Sequence, residues 1–176
     1  MLDEQRVKEA QQNVKKYLEE GLIWRYNSFT PEILETYVRN YQDSLEVAQK
    51  LFEQNLSSLW IIVTSYYSMY YITNAVLYKI GYKVGSKISH KVTADALIVF
   101  VKNKLKKELL EEYEEAQEEA LEIVGKKTEE ILSHFDRELE KRSLFQYEST
   151  EEIKRAKAET SLKRAKEFIF EMKKML

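Results

Sequence analysis

The chain has 176 residues, a formal net charge of −2, one-third charged residues, no cysteine, four glycines and one proline. That length suits one domain able to bury roughly two-thirds of its unfolded surface. The lack of cysteine excludes disulfides, thiolate nucleophiles and Cys-ligated metals, a usage that fits a reducing, cytoplasmic setting. So few turn formers beside long 3.6-residue periodicity predict an all-α fold, an antiparallel, up-and-down helical bundle.

The start, Met1-Leu2-Asp3-Glu4-Gln5-Arg6, is charged and lacks the apolar core of a signal peptide. Leu2, Val7, Ala10, Val14, Tyr17 and Leu18 then mark an amphipathic helix ending near Gly21, read as an appendage to the core. Thr30-Pro31 predicts a helix start, a hydroxyl cap followed by proline where its missing N–H costs nothing. Ile33, Leu34, Tyr37, Val38, Tyr41, Leu45, Ala48, Leu51 and Phe52 form that helix's buried stripe.

From Gln54 to Tyr78 no residue is charged. A membrane span needs about 20 predominantly apolar residues, but Ser57, Ser58, Thr64, Ser65, Ser68, Thr73 and Asn74 interrupt this run with groups that hydrocarbon satisfies poorly. The segment reads as a helix from about Ser57 to Ile80, covered all round by neighbours in a bundle without membrane contact. It packs antiparallel on the preceding helix and stops at Gly81. A loop from Tyr82 to Ser89 leads to a helix through Ala94, Leu97, Ile98, Val101 and Leu105. An acidic helical segment follows from Glu108 to Val124, with Gly125 a break or bend, and the pattern resumes up to Lys141. Ser149 and Glu152 resemble a capping box for a last helix with Ile153, Ala156, Thr160, Ala165, Phe168, Ile169, Met172 and Leu176 on one side.

Charge is unevenly spread. Lys79 to Lys107 holds eight lysines against Asp95 alone, a balance of +7 that leaves −9 for the rest. Such a stretch is either a solvated lysine-rich loop or a surface for a phosphate-bearing partner, since lysines that release counterions supply sequence-independent affinity for nucleic acid. The eight glutamates between Glu108 and Glu122 read as a solvated helix face.

Only two histidines occur, His90 and His134. Neither has a carboxylate three residues before it, and no His-Glu-x-x-His is present, so metal-bundle motifs are missing. Gly81-Tyr82-Lys83-Val84-Gly85-Ser86-Lys87 lacks Walker spacing. The residues call for no metal and no cofactor. His90 stands near a helix start between Lys87 and Lys91, where neighbouring cations favour a neutral ring that either caps the helix, accepts a proton or contacts phosphate. His134, beside Phe135, reads as a packing residue. Arg142-Ser143-Leu144-Phe145-Gln146-Tyr147 places an arginine and a phenol at a helix junction, as a loop staple or as a phosphate and base contact.

In order, the Tyr66-Tyr67-Ser68-Met69-Tyr70 helix, Lys87-Ile88-Ser89-His90, Arg142 to Tyr147 and a final helix resemble the HEPN superfamily, in particular its small stand-alone prokaryotic members. Those carry a Tyr-Tyr-Ala-Met-Phe type stretch, a Lys-Thr-His type stretch and an Arg-x-x-Ala-Asp-Tyr type stretch. The resemblance covers residues 41 to 176, within a HEPN-like bundle domain of residues 30–176 preceded by a helical extension, residues 1–29. It implies a homodimer with a cleft between protomers, paired as toxin and antitoxin with a minimal nucleotidyltransferase. Active members are metal-independent endoribonucleases with an Arg-x4-6-His motif, in which arginine stabilises developing charge and histidine moves a proton.

Arg142 matches that arginine, but Tyr147 stands where the histidine would, Gln146 replaces the usual aspartate, and the lysine of the second motif is shifted by one place. A phenol with an ordinary pKa near 10 is a poor base at neutral pH, and losing the histidine removes roughly 10²–10⁴-fold of proton-transfer catalysis. The expectation is therefore a member that binds nucleotide or RNA. Arg142 and Tyr147 form the degenerate catalytic pair, and Tyr66, Tyr67, Tyr70, Lys87, His90 and Lys91 line the binding site. The alternatives are an endoribonuclease toxin using Arg142 with Tyr147 or His90, and a non-catalytic oligomerising scaffold.

Overall fold

In the computed structural model of the protein, residues 2–137 and 151–176 are described, with side chains for 2–125 and 154–176. The described residues form six α-helices: α1 (Glu4–Glu19), α2 (Pro31–Glu53), α3 (Ser58–Lys79), α4 (Ser89–Val101), α5 (Lys107–Arg137) and α6 (Glu151–Lys173). The all-α reading holds, and no described helix is long and apolar enough to cross a membrane.

The α3 helix is central because it is apolar all round, and it packs against α2, α4, α5 and α6. Its polar residues fold back on its own backbone. The hydroxyls of Ser68 and Thr73 donate to the carbonyls of Ser65 and Met69, and the Asn74 amide donates to Tyr70 O. These three buried groups are thereby satisfied without water, whereas the buried Ser65 hydroxyl has no hydrogen-bond partner among the described residues. The main core gathers Tyr66, Met69, Ile72, Val76 and Leu77 of α3 with Leu97 and Ile98 of α4, Leu110 and Tyr113 of α5, and Phe168 and Met172 of α6. A smaller cluster joins Ala48, Ile61, Ile62, Ala158 and Leu162.

α2 and α3 form the expected antiparallel hairpin. Their short connection contains Asn55 at φ 55°, a left-handed conformation that asparagine tolerates. At the other end of the hairpin the Thr30 N–H donates to the Tyr78 hydroxyl at 3.0 Å. Thr30 stands at the N-cap and Pro31 in the first turn, as predicted, yet the threonine hydroxyl makes no capping bond. It is Tyr78 that fastens this helix start.

Several expectations are corrected. Residues 23–25 and 82–84 form a two-stranded antiparallel ribbon, β1 (Ile23–Arg25) and β2 (Tyr82–Val84), with Ile23 opposite Val84 and Arg25 opposite Tyr82. Gly81 at φ 102° turns the chain out of α3 into it, a conformation open to glycine. Three-residue strands are too short to announce themselves by alternation. The helix read as an appendage is part of the main core, through buried Ala10, Val14 and Tyr17. Gly125 does not interrupt α5, which runs through it from Lys107 to Arg137, because an interior glycine costs only about 1 kcal/mol among strong helix formers. On α6 the buried stripe is Ala158, Ser161, Leu162, Ala165, Phe168, Ile169 and Met172, whereas Ala156 and Thr160 are exposed. Leu105 lies beyond α4, after a 3-10 turn at Lys102–Lys104. Ser149 of the expected capping box lies outside the described residues.

Contacts between α3 and α4 run in the same order along both helices: Tyr66 meets His90, and Asn74 meets Thr93. The chain therefore returns alongside α3 through β2 and residues 85–88 before α4 begins, a step that simple up-and-down alternation does not contain. That return sets the position of the site.

Candidate functional site

Four tyrosines occupy one side of α3 at helical spacing: Tyr66, Tyr67, Tyr70 and Tyr71. Tyr66 is fully buried, while the others are half-buried. The first turn of α4 brings His90 onto them. The Tyr66 hydroxyl lies 2.7 Å from His90 Nδ1. The Tyr70 ring lies 4.4 Å from the imidazole, centroid to centroid and tilted by 38°, and Tyr67 meets it edge-on at 5.5 Å. The histidine thus sits in a cage of three phenol rings. These geometries are favourable for aromatic pairs.

Electrostatics inside the cage are neutral. Burial holds the His90 pKa below its ordinary value, since desolvation disfavours imidazolium. Burial, and not the charge of the neighbouring lysines expected from the sequence, is the cause. Burial also pushes the phenols of Tyr66 and Tyr67 above the ordinary tyrosine value, so they are uncharged donors at neutral pH. Behind Tyr66 stands Tyr113 of α5, its ring 6.0 Å away in an edge-on arrangement. Tyr113 is fully buried and its hydroxyl has no hydrogen-bond partner among the described residues.

The approach to His90 is unusual. Ile88 takes a left-handed conformation, φ 43° and ψ 32°, immediately before α4. That region is disfavoured for a β-branched side chain. The Ile88 side chain is 57% exposed, so no core burial offsets the strain. Lys87 and Lys91 flank His90 in sequence and are exposed, and among the described residues neither forms an ion pair. The structure therefore brings Tyr66, Tyr67, Tyr70 and His90 together, with Lys87 and Lys91 beside them in sequence. Arg142 and Tyr147 lie outside the described residues, as does the side chain of His134.

A second polar cluster was not anticipated. The carboxylate of Asp95, one turn and a half along α4 from His90, is fully buried. It receives the Arg6 guanidinium at 2.7 Å, the Tyr17 hydroxyl at 3.0 Å and the Asn13 amide at 3.0 Å. Arg6 also donates from Nε to Glu114 at 2.7 Å, and the Leu2 N–H donates to Glu111. Burial, followed by the bond to Asp95, pushes the Tyr17 phenol above its usual value. The available signal was Asp95 itself, the lone acid in a lysine-rich stretch and on an otherwise apolar helix face.

The acidic face of α5 is correspondingly not simply solvated. Glu111 and Glu114 hold α1, and Glu115 pairs with Arg164 of α6 at 2.8 Å. A cleft of about 550 Å³ between α5 and α6 is lined by residues including Lys106, Glu112, Lys166 and Phe170 and shares none with the cage. Its intermixed charges of both signs select no ligand. Comparison with known protein families, with curated proteins and with solved structures finds no match for this chain.

Proposed function

We propose that this is a HEPN-type protein of the cytoplasm that binds nucleotide or RNA as the homodimeric partner of a minimal nucleotidyltransferase in a toxin–antitoxin-like pair. The observation that carries the binding reading is the cage: His90 bonded to Tyr66 at 2.7 Å, under the half-buried Tyr70 and Tyr67 rings. Half-buried aromatic faces accept unstacked bases whatever their identity, each stacking contact contributing about 1–3 kcal/mol. Lys87 and Lys91 provide cations where a phosphate backbone would pass. The dimer and the nucleotidyltransferase partner rest on the three HEPN-like motifs.

In this reading Arg142 and Tyr147 are the degenerate catalytic pair and contribute phosphate contact. The test is incubation of the unaltered chain, Arg142→Ala and His90→Ala with RNA in excess chelator, following retention and cleavage together. Retention that weakens steeply with salt while the RNA stays intact supports a binding protein. Cleavage abolished by Arg142→Ala would replace it with a metal-independent endoribonuclease, and neither retention nor cleavage would leave a scaffold.

A further inference from the structure

The Tyr66–His90 hydrogen bond has a direction that the surroundings settle. Tyr66 is fully buried, and among the described residues its hydroxyl has His90 Nδ1 as its one hydrogen-bond partner. Burial keeps the phenol protonated, so it carries an O–H that must go to an acceptor. The Tyr113 hydroxyl behind it is close enough to interact with the Tyr66 phenol, but among the described residues it makes no contact of hydrogen-bond geometry. Were Nδ1 protonated, its N–H would donate to the Tyr66 oxygen, and the Tyr66 proton would be stranded in the core. A stranded buried donor costs about 1–3 kcal/mol. A neutral imidazole has one donor nitrogen and one acceptor nitrogen.

We propose that Tyr66 is a positioning residue that locks His90 as the tautomer protonated on Nε2, so that the ring offers a hydrogen-bond donor to an anionic or carbonyl oxygen of the ligand. The assignment of that ligand to a nucleotide rests on the function proposed above. Among the described residues Nε2 has no hydrogen-bond partner, so its N–H is free for one. The groups facing His90 from α3 are Tyr66, Tyr67 and Tyr70, all phenols. Tyr113 of α5 stands behind Tyr66, and Lys87 and Lys91 flank the ring in sequence. No carboxylate faces the ring in this set to draw its proton back to Nδ1. His90 then serves recognition of phosphate or base oxygens, with its one acceptor nitrogen already occupied and unable to act as a general base.

The experiment has two arms. Side-chain ¹⁵N spectra of the free protein at pH 8, with His134 as the one other histidine in the chain and His90→Gln for assignment, read the tautomer directly. An unprotonated Nδ1 and a protonated Nε2, giving way to mixed or averaged signals in Tyr66→Phe, are expected; a protonated Nδ1 in the unaltered chain overturns the lock. Because Tyr66→Phe removes a single oxygen, it keeps the test independent of any variant that fails to fold.

The second arm measures retention of an oligouridylate in chelator. His90→Gln, which keeps an N–H at the reach of Nε2, is expected to bind within about threefold of the unaltered chain, and His90→Ala to lose about tenfold, the size of one hydrogen bond to an ionised group. Equal losses in both variants overturn the donor role. Failure of the unaltered chain to retain the oligonucleotide, with Nε2 protonated, overturns the proposed function and the donor role together and leaves the tautomer lock standing.

Discussion

His90 and Asp95 belong to the same helix, five residues apart, and the fold treats them in opposite ways. Asp95 is fully buried, paired with Arg6 and hydrogen-bonded by Asn13 and Tyr17, all three from α1. His90 is neutral, half-buried and bonded through one nitrogen only. A buried carboxylate must have its partners in place or the helix cannot seat, so its neighbourhood is closed. A neutral imidazole under phenol rings tolerates an open side and keeps a hydrogen-bonding position in reserve. One region is organised to hold α1; the other has capacity to spare.

The sharpest way to break this contrast is Asp95→Ala, which leaves the Arg6 guanidinium without its buried partner. It is expected to cost about 3–5 kcal/mol in urea unfolding, whereas His90→Ala should cost far less. Comparable losses at both positions would mean that the cage is as structural as the clasp. Tyr17→Phe deletes one donor to the buried carboxylate and should cost about 1.5–3 kcal/mol by the same measurement. Tyr66→Phe removes a bond between neutral groups and should cost about 1 kcal/mol, with unchanged helicity by circular dichroism.

The smallest effect is on pH. His90 is held below its ordinary value by burial, so the unfolded chain binds a proton that the folded chain refuses as pH falls below about 6.5. Stability from this group is complete above that pH, declines as pH drops toward the folded value and levels off beneath it. Tyr70→Ala opens the cage to water, should raise the His90 pKa toward the ordinary range in an NMR titration, and should flatten the decline. An unmoved titration would show that Tyr70 does not shield the ring.

Long elements were legible because periodicity over many residues reports one buried face. The stripe on α2, the uncharged run of α3 and the stop at Gly81 needed nothing but sequence. Short tertiary features were not. The ribbon joins residues 23–25 to residues 82–84, and neither strand has length enough to alternate. Ala156 and Thr160 fell on the expected face of α6 and are exposed, because Ala158, Ser161 and Leu162 carry the helix against its neighbours at that level.

For the site, residue types pointed to Tyr66, Tyr67, Tyr70 and His90, but their meeting depends on the path of residues 80–88, which no local pattern encodes. Tyr113 was visible only as one apolar position in an acidic helix. The Asp95 clasp draws donors from the first seventeen residues, and a pattern read one segment at a time cannot pair them with a helix so far along the chain.

The reach of that clasp has a consequence for synthesis. Arg6 and Glu114 are 108 positions apart, and the ribosome adds roughly 5–20 residues per second. Once made, α1 must wait on the order of 5–20 s before its last ion-pair partner exists. For most of that interval, until α4 with Asp95 has been made, the face bearing Ala10, Val14 and Tyr17, later part of the core, lacks the helix on which it packs. A nascent chain stalled before residue 89 would present this face to holdase chaperones, and α1, made early, would find its place only after α4.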